Sequence, residues 1–329
     1  MARKKHLILV HGRSTKPSRQ EKTRLVRWVL EHGVGRASKE AQEALRKGRV
    51  RFTLAYYGDI NNRVLAEQND SSVRWLVSTD PDFDGTPCEA DGSYDDNIAA
   101  IVSRGPRDFT KRAYELWKKD GDTRSYVDEV AHVASGIANL LGLSERLIRS
   151  FMPDMCAYLT SRRIGSEIRQ RLQAPLRRAL HAGEDVCLVS HSMGCIVAYD
   201  VLWKFSRMSE YADLHGRPVT RWITMGCPLG EPGVQHNLYD AREGADGRFP
   251  DHAALEWMNF AAHDDFIAHD SRISDDFAEM KSRKLIKRII DRPRLYNFYR
   301  GTNGANPHKL YAYLNHPKVG TELANWILS

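Results

Sequence analysis

The stretch that decides the fold lies at residues 186–194 and reads VCLVSHSMG. Its four apolar residues are typical of a buried strand, and the CIVAY that follows it predicts a helix. Between strand and helix, Ser192 is flanked by Ser190 and Gly194. A serine at such a turn takes a strained backbone conformation that lifts its hydroxyl above the sheet edge, and small neighbours keep strand and helix from colliding. The sequence therefore predicts Ser192 as a nucleophile.

A second segment near the start of the chain fits the same architecture. Residues 7–13 read LILVHGR, which is a short apolar run closed by a histidine–glycine turn. Such a run predicts a buried strand that ends at His11 and Gly12.

Together the two segments resemble the α/β-hydrolase superfamily, in particular its esterases and lipases. The resemblance covers nearly the whole chain except for one insertion. In that family the loop after the histidine–glycine strand donates a backbone N–H to the oxyanion hole, and the residue after the nucleophile donates another. The resemblance therefore implies that the amides of Arg13 and Met193 form this hole. The first glycine of the family's turn is replaced by Ser190, a departure that is conservative in size.

The order of predicted elements agrees with that resemblance. Strands alternate with helices, which predicts a doubly wound, mainly parallel sheet in a single α/β domain spanning residues 1–329. The strands are predicted at residues 5–12, 49–59, 185–190, 222–225, 255–262 and 294–300. The helices are predicted at residues 18–32, 166–181, 192–207, 275–290 and 319–328. Gly33 and Gly35 are predicted to stop the first helix.

The strand–helix rhythm breaks between residues 61 and 165, which we interpret as a mostly helical insertion. Its apolar run at 127–143 predicts either a lid or acyl-binding wall over the site, or a plain core helix. Residues 80–91 match part of a calcium-binding loop, but the second position is a proline and the twelfth is Asp91 instead of glutamate. We interpret residues 80–96, which contain this segment, as a solvated acidic loop.

The resemblance also implies where the catalytic acid lies. In chain order the family places its serine first, then a carboxylate, then a histidine. The segment at residues 257–267 reads WMNFAAHDDFI, a strand followed by two aspartates. The family pattern, with an aspartate directly before an apolar pair, selects Asp265. Asp264 is the first alternative and Asp270 the second.

The base is expected after the last strand. The chain has thirteen histidines, and two of them follow the predicted strand at 294–300. We favour His308, which lies in a loop positioned to return over the sheet. The competitor is His316, which lies close to the final helix and is expected to cap it or pack against it.

Composition favours a globular protein with reduced cysteines. The five cysteines form no C-x-x-C pair, so neither a disulfide framework nor a zinc site is indicated. No apolar run approaches the length of a membrane-spanning helix, and we expect a cytoplasmic protein. The net charge of +7 is interpreted as a solvated basic surface. The predicted basic helix at 275–290 is expected to pack on the sheet, with contact to an anionic membrane surface as the alternative.

These residues lead to an expected function. Ser192, Asp265 and His308 would form a catalytic triad that cleaves a carboxylic ester or thioester through an acyl-enzyme. The expected substrate is a small-molecule ester or a lipid-like one, with no metal, no organic cofactor and no nucleic-acid partner. Two alternatives stay open: an acyltransferase on the same fold, and a catalytically inactive binding protein.

Overall fold

The computed structural model defines the main sheet and the helices that pack on it. The structure describes residues 3–13, 16–67, 94–103, 108–120, 153–268, 270–301 and 304–329.

Six strands form one sheet in which every neighbouring pair is parallel, as predicted. The strands are β1 (Lys5–Val10), β2 (Val50–Ala55), β3 (Asp185–His191), β4 (Val219–Met225), β5 (Ala254–Ala262) and β6 (Arg288–Leu295). Their spatial order is β2-β1-β3-β4-β5-β6. Strand β1 thus lies between β2 and β3, and the order reverses there. In sheets of this kind ligands bind outside the carboxyl ends of the strands at that reversal.

Helices accompany the sheet on both faces. Those before β3 are α1 (Arg19–Ala37), α2 (Lys39–Arg46), α3 (Gly58–Glu67), α4 (Tyr94–Ser103), α5 (Lys111–Lys119), α6 (Pro153–Thr160) and α7 (Arg162–His181). Those after β3 are α8 (Met193–Arg207), α9 (Pro232–Gln235), α10 (Ile273–Asp276), α11 (Ala278–Ser282), α12 (Leu310–Asn315) and α13 (Pro317–Leu328). A short hairpin of β7 (Arg300–Gly301) and β8 (Gly304–Ala305) precedes α12.

Alternating residues of the central strands supply two separate cores. In β1, Ile8 and Val10 pack in the core that contains α7 and α8. Leu7 and Leu9 pack in the opposite core with α1 and α13. A strand covered on both faces has no polar side to show to water. This double burial explains the continuous apolar run that identified the strand.

The predicted stop of the first helix at Gly33 and Gly35 is wrong, because α1 continues to Ala37. The two glycines are packing positions instead. A Cβ added at Gly33 would lie 1.9 Å from the carbonyl oxygen of Leu314 in α12, and one added at Gly35 would meet the Gln42 side chain at 2.4 Å. The glycines therefore allow close approach between elements, which outweighs their low helix propensity.

The helix predicted at residues 275–290 is also wrong. The chain forms α10 and α11, turns at Lys284 with φ of 59°, and then enters β6. Ile289 and Ile290 are neighbours in the chain and pack against opposite cores, which is the period of a strand. Isoleucine also favours strands because it branches at Cβ. The membrane-surface alternative loses its support. The sheet strand predicted at 294–300 spans Arg288–Leu295 instead, so it overlaps the prediction at only two residues.

The described parts of the predicted insertion, residues 61–165, are helical and include α4, α5 and α6. The proposed boundaries fall within α3 and α7. The apolar run at 127–143 and residues 80–93 of the predicted acidic loop lie outside the described residues. Residues 94–96, predicted as the end of that loop, belong to α4 instead.

Candidate active site

Ser192 occupies the turn between β3 and α8 predicted from the sequence. Its backbone has φ of 55° and ψ of −131°, a conformation that costs a side-chain-bearing residue about 1–3 kcal/mol. The Ser192 amide donates a hydrogen bond to the carbonyl of Met225 in β4 at 3.0 Å. Strand β3 and helix α8 thus hold the serine at the carboxyl edge of the sheet, next to the reversal in strand order.

Two glycines make room for this turn. A Cβ added at Gly194 would lie 2.5 Å from the carbonyl oxygen of His11. A Cβ added at Gly12 would lie 2.7 Å from the Cβ of Ser192. The turn after β3 and the turn after β1 are therefore in direct contact, and only residues without side chains fit between them.

Ser190 has a structural reason to replace the expected glycine. The Trp222 indole N–H in β4 donates a hydrogen bond to the Ser190 hydroxyl oxygen at 2.9 Å, and both residues are buried. The serine thus supplies an acceptor for a polar group that has no access to water. Sequence reasoning identified the departure but not this partner.

We expect Ser190→Ala to destabilise the protein by about 1–3 kcal/mol, because the Trp222 N–H would stay buried without an acceptor. The measurement is urea unfolding of purified variants. Ser282→Ala is the control, since Ser282 donates to the carbonyl of Glu279 at an exposed site. Equal unfolding midpoints for Ser190→Ala and the control would contradict the role assigned to this hydroxyl.

Asp265 and His308 come together from separate parts of the chain. Asp265 follows β5, and His308 lies between the β7–β8 hairpin and α12. Nδ1 of His308 is 2.9 Å from each carboxylate oxygen of Asp265. The pair has the geometry in which a carboxylate accepts the Nδ1 proton and leaves Nε2 available.

Two further donors fix the Asp265 carboxylate. The Tyr313 hydroxyl donates to Oδ2 at 2.6 Å, and the Ile267 amide donates to Oδ1 at 3.0 Å. Burial disfavours the charged carboxylate, but His308 and these donors outweigh it and hold the pKa of Asp265 below its usual range. Asp265 is therefore ionised at neutral pH. Sequence reasoning missed Tyr313, which lies 48 residues from its partner.

Gly226 connects the pair to the nucleophile. Its φ is +56°, and an added Cβ would lie 2.8 Å from the His308 ring and 3.0 Å from the Asp265 carboxylate. The residue before it, Met225, accepts the hydrogen bond of the Ser192 amide. Ser192 is thus hydrogen-bonded to the turn after β4, and the Asp265–His308 pair packs against the same turn. Among the described residues no hydrogen bond joins the Ser192 hydroxyl to His308.

The proposed oxyanion donors lie on the two turns that meet at Ser192. Met193 is the first residue of α8, where amides have no acceptor within the helix. Arg13 directly follows Gly12, which contacts Ser192. The Arg13 guanidinium Nε donates to the buried carboxylate of Asp154 in α6 at 3.3 Å.

The neutral side chain of His11 stabilises the turn after β1 through two hydrogen bonds. Its Nδ1–H donates to the carbonyl of Gly12 at 2.8 Å, and its Nε2 accepts from the Tyr57 amide at 3.1 Å. The Tyr57 ring is stacked on the imidazole at 4.1 Å between centroids. Burial, with a smaller contribution from Lys16, keeps the pKa of His11 well below its usual value. The sequence predicted a turn here but not the hydrogen bonds and the stacked ring that hold His11.

The alternative acids lie apart from the imidazole of His308. Asp264 pairs with Lys118 of α5 at 2.7 Å and with the Tyr114 hydroxyl at 3.4 Å. Asp270 accepts from the amide of Arg272 at 3.1 Å.

His316, the alternative base, is buried and caps α13. Its Nδ1 accepts from the Lys318 amide at 3.2 Å, and its ring packs on Phe109 with centroids 4.8 Å apart. Burial lowers the pKa of His316 to about 3. These contacts agree with the capping role expected for it.

One helix of the predicted insertion packs beside this edge of the sheet. Tyr114 and Trp117 of α5 contact the Phe298 ring with centroids 5.6 and 5.4 Å apart. The ion pair between Lys118 and Asp264 attaches the same helix to the turn after β5. Helix α5 therefore reaches the edge that carries Ser192.

No protein-family model, curated protein or solved structure matches this chain. Within the described residues, no cluster of histidine, cysteine, aspartate and glutamate could hold a metal ion. A search of the same residues finds no helix with the length and apolarity to cross a bilayer.

Proposed function

We propose that this chain is a serine hydrolase of the α/β-hydrolase type that cleaves a carboxylic ester or thioester. The observation that carries the proposal is the strained backbone of Ser192 at the reversal of strand order, at the same sheet edge as the Asp265–His308 pair. A carboxylate on Nδ1 fixes the imidazole tautomer that leaves Nε2 free to accept a proton. Strain of this kind is retained where function requires it.

The first step forms an acyl-enzyme. His308 Nε2 takes the proton of the Ser192 hydroxyl while Oγ attacks the substrate carbonyl carbon, and the carbonyl π electrons move onto oxygen. The amides of Arg13 and Met193 donate to this oxyanion, each lowering the barrier by about 3 kcal/mol. The intermediate collapses, the alcohol or thiol leaves with the proton from His308, and the acyl group stays on Ser192.

The second step repeats the chemistry with water. His308 removes a proton from water, and the hydroxide oxygen attacks the acyl carbonyl carbon. The new oxyanion collapses with release of the Ser192 oxygen, which regains its proton from His308. Asp265 remains ionised throughout and stabilises the imidazolium form of His308.

We further propose an apolar, lipid-like acyl group in the substrate, contacted by the insertion. Phe266 directly follows Asp265 and is 43% exposed, and Leu116 of α5 is 56% exposed. Of the two, Phe266 is the one next to a member of the Asp265–His308 pair, and an exposed aromatic side chain there is suited to contact an acyl chain.

An activity panel tests the proposal. Purified protein is assayed on nitrophenyl esters of increasing chain length and then treated with a fluorophosphonate probe. We expect turnover on at least one ester and labelling of a peptide that contains Ser192. Turnover that rises when an alcohol acceptor is added, with the ester of that alcohol as product, would make the protein an acyltransferase. No labelling and no turnover would make it a binding protein.

Tyr313→Phe is expected to raise the pKa of Asp265, because the variant removes a hydrogen bond that favours the charged carboxylate. Tyr313 helps to keep the pKa of Asp265 low, so its loss moves that pKa up toward the usual value. The measurement is an NMR titration of the Asp265 carboxyl, analysed as a titration of the coupled Asp265–His308 pair.

Tyr114→Phe is the control for this shift, because the Tyr114 hydroxyl contacts Asp264 outside the pair. Circular dichroism at each pH confirms that both variants are folded. Superimposable titration curves for folded Tyr313→Phe and wild type would show that this hydroxyl does not tune the pair.

A further inference from the structure

His191, the residue directly before Ser192, contacts the proposed base. Its Nε2–H donates a hydrogen bond to the backbone carbonyl of His308 at 2.6 Å. The two imidazole rings also pack together, with centroids 4.7 Å apart and planes inclined by 37°. His191 is 6% exposed, so water does not compete for this bond.

The other ring nitrogen of His191 faces protein. Nδ1 is buried and has no hydrogen-bond partner among the described residues. A Cβ added at Gly12 would lie 3.0 Å from it. The ring therefore fills a slot between the turn after β1 and His308. Burial holds the pKa of His191 well below its usual value, which agrees with a neutral ring whose single proton is on Nε2.

The segment before His308 is held in a similar way. The Asn297 side-chain amide donates to the carbonyl of Pro307 at 2.8 Å, and the Asn306 amide donates to the carbonyl of Tyr299 at 2.8 Å. Two consecutive carbonyls, those of Pro307 and His308, are thus bound by side chains from elsewhere in the fold. The bond from His191 is the one that comes from the nucleophile turn.

We propose that His191 is a positioning residue that holds the backbone of His308 at a fixed place relative to Ser192. The proposal rests on the proposed function, in which His308 is the base for Ser192. Misplacement of a catalytic group by about 1 Å can cost about 100-fold in rate. A donor on the residue adjacent to the nucleophile ties both reacting groups to the end of β3.

The test compares His191→Leu with His191→Gln. Leucine fills space without donating, whereas the glutamine amide places an N–H near the position of Nε2. We expect His191→Leu to lower kcat by about 10- to 100-fold with KM within about twofold, and His191→Gln to recover most of the loss. His263→Leu is the control, because His263 lies beside Asp264, outside the Asp265–His308 pair, and should leave kcat unchanged.

Amide hydrogen exchange supplies a readout that does not need activity. We expect the amides of Asn306, His308 and Lys309 to exchange faster in His191→Leu than in wild type, and His191→Gln to restore their protection. If the wild-type protein hydrolyses no ester and is not labelled by the fluorophosphonate probe, the proposed function fails. The exchange data still test whether the hydrogen bond from His191 holds the backbone of His308. Should the leucine variant not fold, His191→Asn replaces it, since its shorter amide does not reach the carbonyl of His308.

Two results would overturn the proposal. One is a folded variant without the donor in which kcat and the amide exchange of Asn306, His308 and Lys309 are all unchanged. The other is equal loss of kcat in the glutamine and leucine variants in proportion to their loss of thermal stability, which would make His191 a packing residue only.

Discussion

Ser192→Ala is expected to reduce ester hydrolysis by on the order of a million-fold and to leave the protein folded. Without Oγ the acyl-enzyme cannot form, and His308 and Asp265 have no nucleophile to activate. The hydroxyl contributes little to the core, because the turn is held by the Ser192 amide on Met225 and by the close contact with Gly12. Steady-state kinetics on nitrophenyl esters and fluorophosphonate labelling measure the loss, and circular dichroism checks the fold.

Ser192→Gly separates the chemistry from the backbone strain. Both variants lack the nucleophile, so both should be inactive. Alanine at φ of 55° keeps the strain, whereas glycine adopts this φ readily. We expect Ser192→Gly to be more stable than Ser192→Ala by about 1 kcal/mol in urea unfolding. More than a few per cent of wild-type turnover in pure Ser192→Ala would place the nucleophile elsewhere.

The strand–turn–helix around Ser192 could be predicted because its signals are local. An apolar run buried on both faces, small residues at a tight turn and a following apolar helix all lie within residues 186–207. The resulting elements, β3 and α8, agree with the prediction within one residue at each end. Here local preference and tertiary packing favour the same structure, which is why the pattern was sufficient.

The secondary-structure predictions failed at positions where contacts with residues distant in the chain determine the structure. Glycine has a low helix propensity, but Gly33 lies within α1 because only a residue without a side chain fits against the carbonyl of Leu314 in α12. The apolar residues at 285, 286, 289 and 290 fit a helical spacing, but pairing with β5 places Ile289 and Ile290 in a strand. Periodicity cannot distinguish the two for a short segment.

The candidate site was predictable only in part for the same reason. Asp265 and His308 were selected by chain order, and the structure brings them into direct contact. Tyr313, Gly226 and the bond from His191 to a carbonyl 117 residues away carry no local signature. Such partners are defined by the sheet edge that assembles them, not by spacing along the chain.

His308→Ala is expected to be nearly as damaging as Ser192→Ala, with kcat reduced by on the order of a million-fold. When residues act together in one catalytic step, removal of any one of them abolishes almost all of their combined rate enhancement. The variant also leaves the buried Asp265 carboxylate without its imidazole partner, so urea unfolding must accompany the kinetics. Activity is therefore compared per folded molecule, at a pH where circular dichroism matches wild type.

His316→Ala is the matched control, because it removes another histidine from the same part of the chain. Loss of His316 removes the cap of α13 and should lower the free energy of unfolding by about 1 kcal/mol. We expect kcat of the folded variant to stay within about twofold of wild type, because His316 contacts Phe109 and Lys318 and not the Asp265–His308 pair. A folded His308→Ala with kcat within tenfold of wild type would remove His308 as the base. A large loss of kcat in His316→Ala alone would instead make His316 the base. The loop after β8 would then have to rearrange in the active enzyme, because in this structure Asp265 holds the imidazole of His308.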